Sequence, residues 1–365
     1  MNEKSLEEVL CDVRSMAPYV MCSREEMKDR TRTFEISRFE RDDDHDETDD
    51  NRGSSSLQRM VQKTKHRTSK KADARRVVQK YRRSAAGCVF TYPQRTLADL
   101  ELTVHYLLLE LFPSHVHDNA FHVVGFVHDR LRAVQVDLSR IGRHNCIRNG
   151  IIMMSRMIRY YALSGYLLCD DDVGKDSLEW KLHNQQLSAC LSLFRISLEV
   201  LASNDDIDIL TDAILLQEID ESLSFSLLHS ICSAVSLHHF DDYNSTFLHA
   251  TLEIREIVQL ISSLLPRSLA KCNYGTTRVS LSGTVLDLFP KVRWSIRLIV
   301  LIQDRNYVRV IRVLTEGDER WNVVLRAIVA PKLLPLLRFS ALEIWNCSMM
   351  KRGKYPLNEV SIKIR

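Results

Sequence analysis

Residues 119–140 read NAFHVVGFVHDRLRAVQVDLSR and place Phe121, Val124, Val127, Leu131 and Val134 at three-to-four spacing. That spacing lines one side of a 3.6-residue helix and would scatter over both faces of a strand, so the run is predicted helical. The same pattern extends outward on both sides. Residues 99–112 put Leu100, Val104, Leu107, Leu108 and Leu111 on one face, with an expected stop at Pro113. Residues 145–168 carry Ile151, Met154, Ile158 and Tyr161. Asn184 is the expected N-cap of a helix whose stripe is Leu187, Leu191, Phe194, Leu198 and Leu201. Further helices are predicted near 206–217, 221–236, 243–265, 291–302, 305–315, 319–329 and 334–349.

About a dozen helices with short connections point to an all-α chain built as irregular stacked helical hairpins. Each hairpin needs a neighbour to cover its apolar side, and no clean repeat consensus runs through the series. Composition agrees with this class. The 365 residues include only 11 Gly and 8 Pro, below the usual ~7% and ~5%, which disfavours a turn-rich β protein. With 45% hydrophobic residues the chain can bury a sizeable core.

The formal charge of +3 conceals an asymmetry. Residues 40–50 hold eight acids and one base, and residues 52–83 hold twelve bases and one acid, Asp73. Residues 84–365 balance at thirty of each. The charge-dense, apolar-poor stretch at 42–76, with Gly53 and Ser54 to Ser56, is expected to be a disordered acidic and basic insertion. Its candidate nucleic-acid or import contacts are Lys63, Lys65, Arg67, Lys70, Lys71, Arg75 and Arg76. With Tyr81 as the one aromatic in the basic tract, base stacking is poorly served. A solvated linker balanced by the adjacent acids is an equal reading of the same residues.

The acidic start lacks the basic and apolar regions of a signal peptide, and no stretch approaches a membrane span. A soluble intracellular protein is expected. Nine scattered cysteines without a C-x-x-C pair read as reduced, mostly buried thiols. No phosphate loop, dinucleotide fingerprint, H-E-x-x-H or G-x-S-x-G occurs. His115, His117, His122 and His128 lack metal-ligand spacing. The expectation is therefore a chain with no catalytic residues, metal, cofactor or small-molecule substrate.

Two clusters have sharper character. Arg130, Val134 and Asp137 share a helix face because seven residues make about two turns. Such a face serves either as a charged network that fixes packing or docks a partner, or as a solvated surface, and spacing alone leaves both open. Residues 78–87, VQKYRRSAAG, read as a basic amphipathic helix ended by Gly87.

These clusters resemble the Sac-three/GANP family, scaffold subunits of the TREX-two mRNA export complex and their short centrosomal relatives. Residues 21–30, MCSREEMKDR, are similar to the family's M-C-P-x-x-E-R-x-x-R and are followed by Phe39-Glu40-Arg41. Residues 78–87 look like its V-K-K-F-x-R-S-A-A-G, and residues 126–138 like its F-x-x-D-R-x-R-A-V-R-x-D-L. Residues 158–161 stand where the family has R-F-H-I on a helix, and Asn184 and Leu187 match its N-x-x-L helix start. Asn306-Tyr307-Val308-Arg309 and Tyr355-Pro356-Leu357 resemble its later landmarks. Ala17, Ser23, Met27 and Gln135 depart from the pattern.

The resemblance implies motif residues at Glu26, Arg30, Arg82, Arg83, Ser84, Asp129, Arg130, Arg132, Asp137, Asn184 and Leu187. It implies an N-terminal helical segment at 1–41, the insertion at 42–76, a helical-repeat domain at 77–340 built as a PCI/TPR-like array, and the start of a truncated winged helix at 341–365. As function it implies a non-enzymatic scaffold in nuclear mRNA export or mRNP processing. The implied partners are a PCI-domain protein and a small acidic peptide subunit, with RNA attracted by the insertion. The implied location is the nucleus and its pores, and the alternative is a scaffold at the centrosome or spindle.

Overall fold

The computed structural model describes residues 21–41, 72–82, 92–141, 147–169, 178–203, 209–238, 243–265 and 286–304, with a few isolated residues from 306 to 338. Residues 42–71 of the insertion expected at 42–76, the helix expected at 319–329 and the winged helix at 341–365 lie outside these residues, as does most of the helices expected at 305–315 and 334–349, whereas residues 72–76, expected within the disordered insertion, form a bridge and a turn beside Glu40 and Arg41. Among the described residues the chain is helical and has no sheet. Two compact units divide it, residues 1–142 and 143–365.

In the first unit, α1 (Arg24–Arg32) is capped by the Ser23 hydroxyl, which accepts the Glu26 N–H at 3.1 Å. Its C-terminus closes in a Schellman turn. Glu35 N–H donates to Arg30 O at 2.8 Å and Phe34 N–H to Thr31 O at 3.3 Å. That turn requires a left-handed residue, and Phe34 supplies it at φ 59° while 60% exposed. A side chain in this conformation costs about 1 kcal/mol that glycine avoids. Phe34→Gly is therefore expected to raise the urea midpoint by the equivalent of about 0.5–1 kcal/mol.

A 3-10 turn at Arg38–Glu40 follows. Arg41 then bridges Ala72 in antiparallel fashion, and Asp73 N–H donates to Glu40 O at 3.0 Å. Past 92 the chain enters α2 (Leu97–His105), a π segment (Tyr106–Leu111) and α3 (Phe112–Arg140). The expected stop at Pro113 falls where the elements change, because α3 begins at Phe112 and carries Pro113 in its first turn, where a missing N–H is tolerated. Phe112 N–H reaches back five residues to Leu107 O, and this widened turn accommodates a residue that cannot donate to the helix. A straight rod over this length would span about 65 Å, yet Arg95 and Asp137 pair at 2.7 Å. The run therefore doubles back, and α2 packs on α3.

The second unit holds α4 (Ile147–Cys169), α5 (Leu178–Ala202), α6 (Ala213–His238), α7 (Tyr243–Leu264) and α8 (Pro290–Gln303). Sequence neighbours α4 and α5 pack together, as do α6 and α7. Helix α6 also touches α4 and α8, and α7 touches α5. Being covered from several directions, α6 buries Leu215, Ile219, Leu223, Phe225 and Leu228 together with Ser222, Ser224 and Ser226. The serines allow close approach while staying hydrogen-bonded: Ser222 to Ser155 at 2.8 Å and Ser224 to Ser295 at 2.5 Å.

Two helix starts differ from expectation. Asn184 lies inside α5, which already begins at Leu178, because residues 178–183 contain no helix breaker. The helix expected at 206–217 begins only at Ala213, where Asp212 accepts the Leu215 N–H at 3.1 Å, and it continues through the second expected helix to His238.

Gly165 on α4 faces the ring of His183 on α5. A methyl group there would stand 2.8 Å from His183 Nε2, and His183 is buried with its ring against Tyr161. Alanine gains up to about 1 kcal/mol in helix propensity, but overpacking a buried contact costs about 1–3 kcal/mol. Gly165→Ala is thus expected to lower stability by about 1 kcal/mol, measured by denaturant unfolding. A more stable variant would show that His183 moves freely.

Candidate functional site

Glu26 and Arg30 stand one turn apart on α1, and both are fully buried. Burying charge costs several kcal/mol unless partners are supplied in good geometry. Here they come from distant parts of the chain. Arg30 Nη1 donates to Val78 O at 2.9 Å and Nη2 to Glu35 O at 3.3 Å, and Nη2 also pairs with Glu40 Oε2. Glu40 is equally buried. It accepts the Ser37 N–H at 3.0 Å, the Val78 N–H at 3.1 Å, and Arg130 Nη2 at 3.2 Å on each oxygen. One carboxylate thus serves two buried guanidinium groups.

Residues 77–82 are the strip that this network holds. The amphipathic helix expected over 78–87 is not formed in the described part, 78–82. The reason lies in its backbone partners. Val78 N–H goes to Glu40, Lys80 N–H to Glu26 Oε1 at 2.9 Å, Tyr81 N–H to Asp129 Oδ2 at 3.3 Å, and Gln79 N–H to Met21 O at 3.0 Å. Carboxylates on two helices and a turn replace the hydrogen bonds a helix would have made, while Val77 and Val78 fill the core beside them.

Helix α3 supplies the opposite wall. Arg130 pairs with Asp129 and lies over the Phe126 ring at 4.4 Å, and Arg132 lies over Tyr81 at 3.9 Å. Asp137 accepts Arg95 Nε at 2.7 Å, both groups being buried. The face shared by Arg130, Val134 and Asp137 is therefore an internal charged network and not a solvated surface. Phe39 packs between His115 and Phe126, with centroids 5.2 and 5.1 Å away.

Not every buried polar atom is satisfied. Glu26 Oε2, both terminal nitrogens of Arg95, and the Nε atoms of Arg30 and Arg130 have no hydrogen-bond partner among the described residues. Burial, opposed by the Lys80 amide and Arg30, holds the Glu26 carboxyl above its ordinary range. Burial also pushes the Cys22 thiol up to about 12, which makes it an inert core residue. Cys190 and Cys232 are likewise buried. Among the described residues no group of three or more His, Cys, Asp or Glu could hold a metal ion, and no helix is long and apolar enough to cross a membrane.

The structure thus brings together Glu26, Arg30, Asp129, Arg130, Arg132 and Asp137. Arg82 joins them at the edge, with its guanidinium over Tyr92 at 4.6 Å. Asn184 and Leu187 sit apart, in the second unit, where Leu187 is a core residue. Arg83 and Ser84 lie outside the described residues, as do Lys63, Lys65, Arg67, Lys70 and Lys71. Arg75 is exposed, and Arg76 pairs with Asp73 at 3.3 Å.

Glu40 and Arg95 are the central groups that pattern reading omitted from the site. Glu40 had a signal, since Ser37 stands three residues before it in an S-x-x-E pattern and donates its N–H to the Glu40 carboxylate. Arg95 stands in a loop with no periodicity to mark it.

Comparison with known proteins gives one match: the model of the SAC3/GANP family covers residues 21–363. No curated protein and no solved structure matches. The matched span begins at Met21, whose carbonyl accepts the Gln79 N–H, and contains the whole charged network.

Proposed function

This chain belongs to the SAC3/GANP family, and from that premise we propose that it is a non-enzymatic scaffold in nuclear mRNA export or mRNP processing. The observation that carries the reading is the extent of the family match, residues 21–363, which includes the N-terminal segment and the helical body alike. The buried network supports it physically. Ion pairs locked inside a helical unit fix the relative placement of helices, which suits a surface that must present one shape to a partner.

In this reading a PCI-domain protein and a small acidic peptide subunit assemble on the helical body. Lys63, Lys65, Arg67, Lys70, Lys71, Arg75 and Arg76 supply sequence-independent attraction to RNA or a nuclear import signal. The protein works in the nucleus, at or near the pores. Affinity purification of the tagged full chain followed by mass spectrometry tests the assignment. Recovery of a second PCI protein together with pore components is the expected result. Recovery of tubulin-associated proteins alone would replace it with a centrosomal or spindle scaffold.

A further inference from the structure

Phe34 combines two features that glycine would remove without disturbing the turn. Among the described residues it is the one non-glycine position with positive φ, at 59°, and its side chain is 60% exposed. Exposed apolar side chains such as Leu109 and Phe121 are ordinary, but neither holds a left-handed backbone. A conformation that costs free energy and gains little burial in return points to a role outside the unit. We propose that Phe34 is a docking anchor, a ring that inserts into an uncharged apolar pocket on a folded partner protein.

The way the ring is mounted supports this. Directly after it, Glu35 O accepts Nη2 of the fully buried Arg30 at 3.3 Å, while the Glu35 and Phe34 amides close onto Arg30 O and Thr31 O. Directly before it, Thr33 Oγ1 donates to Asp29 O at 3.0 Å. The backbone on both sides of the anchor is thus tied to α1 and, through Arg30, to the charged network. Strained backbone persists where its surroundings over-determine it, and a ring presented in a fixed direction loses little freedom on insertion.

The collar decides the chemistry of the partner. Beside the ring, Arg32 pairs with Asp29 at 3.2 Å and Glu35 with Lys80 at 3.4 Å. These charges are cancelled within the chain, so the collar offers no local excess to draw a phosphate backbone or an anionic bilayer. An aromatic side chain inside a collar of paired charges fits a neutral-rimmed apolar pocket, the arrangement in which one residue carries a large share of binding.

The proposal rests on the scaffold reading only in taking the partner to be a protein. For the test, p-benzoylphenylalanine is placed at position 34 of the full chain, and in a second protein at position 121, in the source cells. Cross-linked peptides are identified by mass spectrometry. The expected result is an adduct specific to position 34 on an apolar segment of another protein. That protein, once purified, is titrated against the parent, F34G, F34L and F121A. F34G should weaken binding tenfold or more, F34L about fivefold and F121A less than about twofold. Because F34G is expected to be the more stable chain, misfolding cannot account for its loss. An adduct to a second copy of this chain or to lipid, the same adduct from positions 34 and 121, no adduct, or a loss below tenfold in F34G would each overturn the proposal. A partner unrelated to mRNA export would leave the anchor standing and overturn the scaffold reading, and pore components recovered without an adduct at position 34 would do the reverse.

Discussion

Glu40→Ala is expected to destabilise the first unit by about 3–5 kcal/mol, enough to unfold a domain of ordinary stability. The size follows from what would be left behind. Arg30 and Arg130 are both buried, and Glu40 is the carboxylate that faces them both. Removing it also strips the Val78 and Ser37 amides of their acceptor. Arg30→Met in the same background should restore part of the loss, because an unpaired guanidinium is then gone and a side chain of similar length fills the space. The measurement is a urea unfolding series on the single and double variants. If Glu40→Ala unfolds within about 1 kcal/mol of the parent, water already compensates the two arginines and the network is not what holds residues 77–82.

In the second unit Asp220 carries the next largest effect. Its carboxylate lies on α6 and accepts the Lys291 N–H at 3.0 Å and the Val292 N–H at 2.9 Å, so it caps α8 from another helix. Asp220→Ala leaves the buried Val292 amide and the half-buried Lys291 amide without their acceptor and is expected to cost about 2–3 kcal/mol. Asparagine behaves differently because its oxygen can still accept. Burial raises the Asp220 carboxyl from 3.8 to about 6 despite those two amides and Lys291. A carboxyl raised on folding binds its proton more tightly in the native state, so stability falls as pH rises from about 3.8 through 6 and stays at its lower value above that. Asp220→Asn avoids the cost of the buried charge. It should therefore be at least as stable as the parent at pH 7, keep only part of that advantage at pH 5 and lose it below about 3.8. The difference between the two unfolding midpoints across this range is the test. A difference independent of pH would place the residue's titration outside the window.

The positions of the helices were legible where one apolar stripe repeats every three to four residues, as at Leu187 to Leu201 and Val124 to Val134. Legibility failed where the deciding partner is remote. Val78 to Arg82 alternate apolar and charged side chains in a way that suits a basic helix, and nothing nearby announces that Glu26, Glu40 and Asp129 take its amides. Pro113 marked the boundary between the π segment and α3, and nothing local announced the widened turn before it. In α6 the buried serines blurred the stripe, since a helix covered on several sides has no solvent face to contrast with its core. Within the candidate site, Arg130 and Asp137 could be placed on one partly apolar face. Whether that face was internal depended on Arg95 and Glu40, which come from other segments and share no period with it.

The Arg41–Ala72 bridge and the Asp73-to-Glu40 hydrogen bond place the two ends of the charge-rich tract side by side on an ordered base. Closing a loop costs free energy that grows only with the logarithm of its length, about 0.6 kcal/mol for each doubling. The stability of the first unit is therefore expected to depend only weakly on the length of the segment that joins those ends. Replacing residues 44–69 with a short glycine–serine linker is expected to leave the unfolding midpoint of the first unit within about 1 kcal/mol of the parent. Selection can then act on the length and charge of the tract independently of the helical body that carries it.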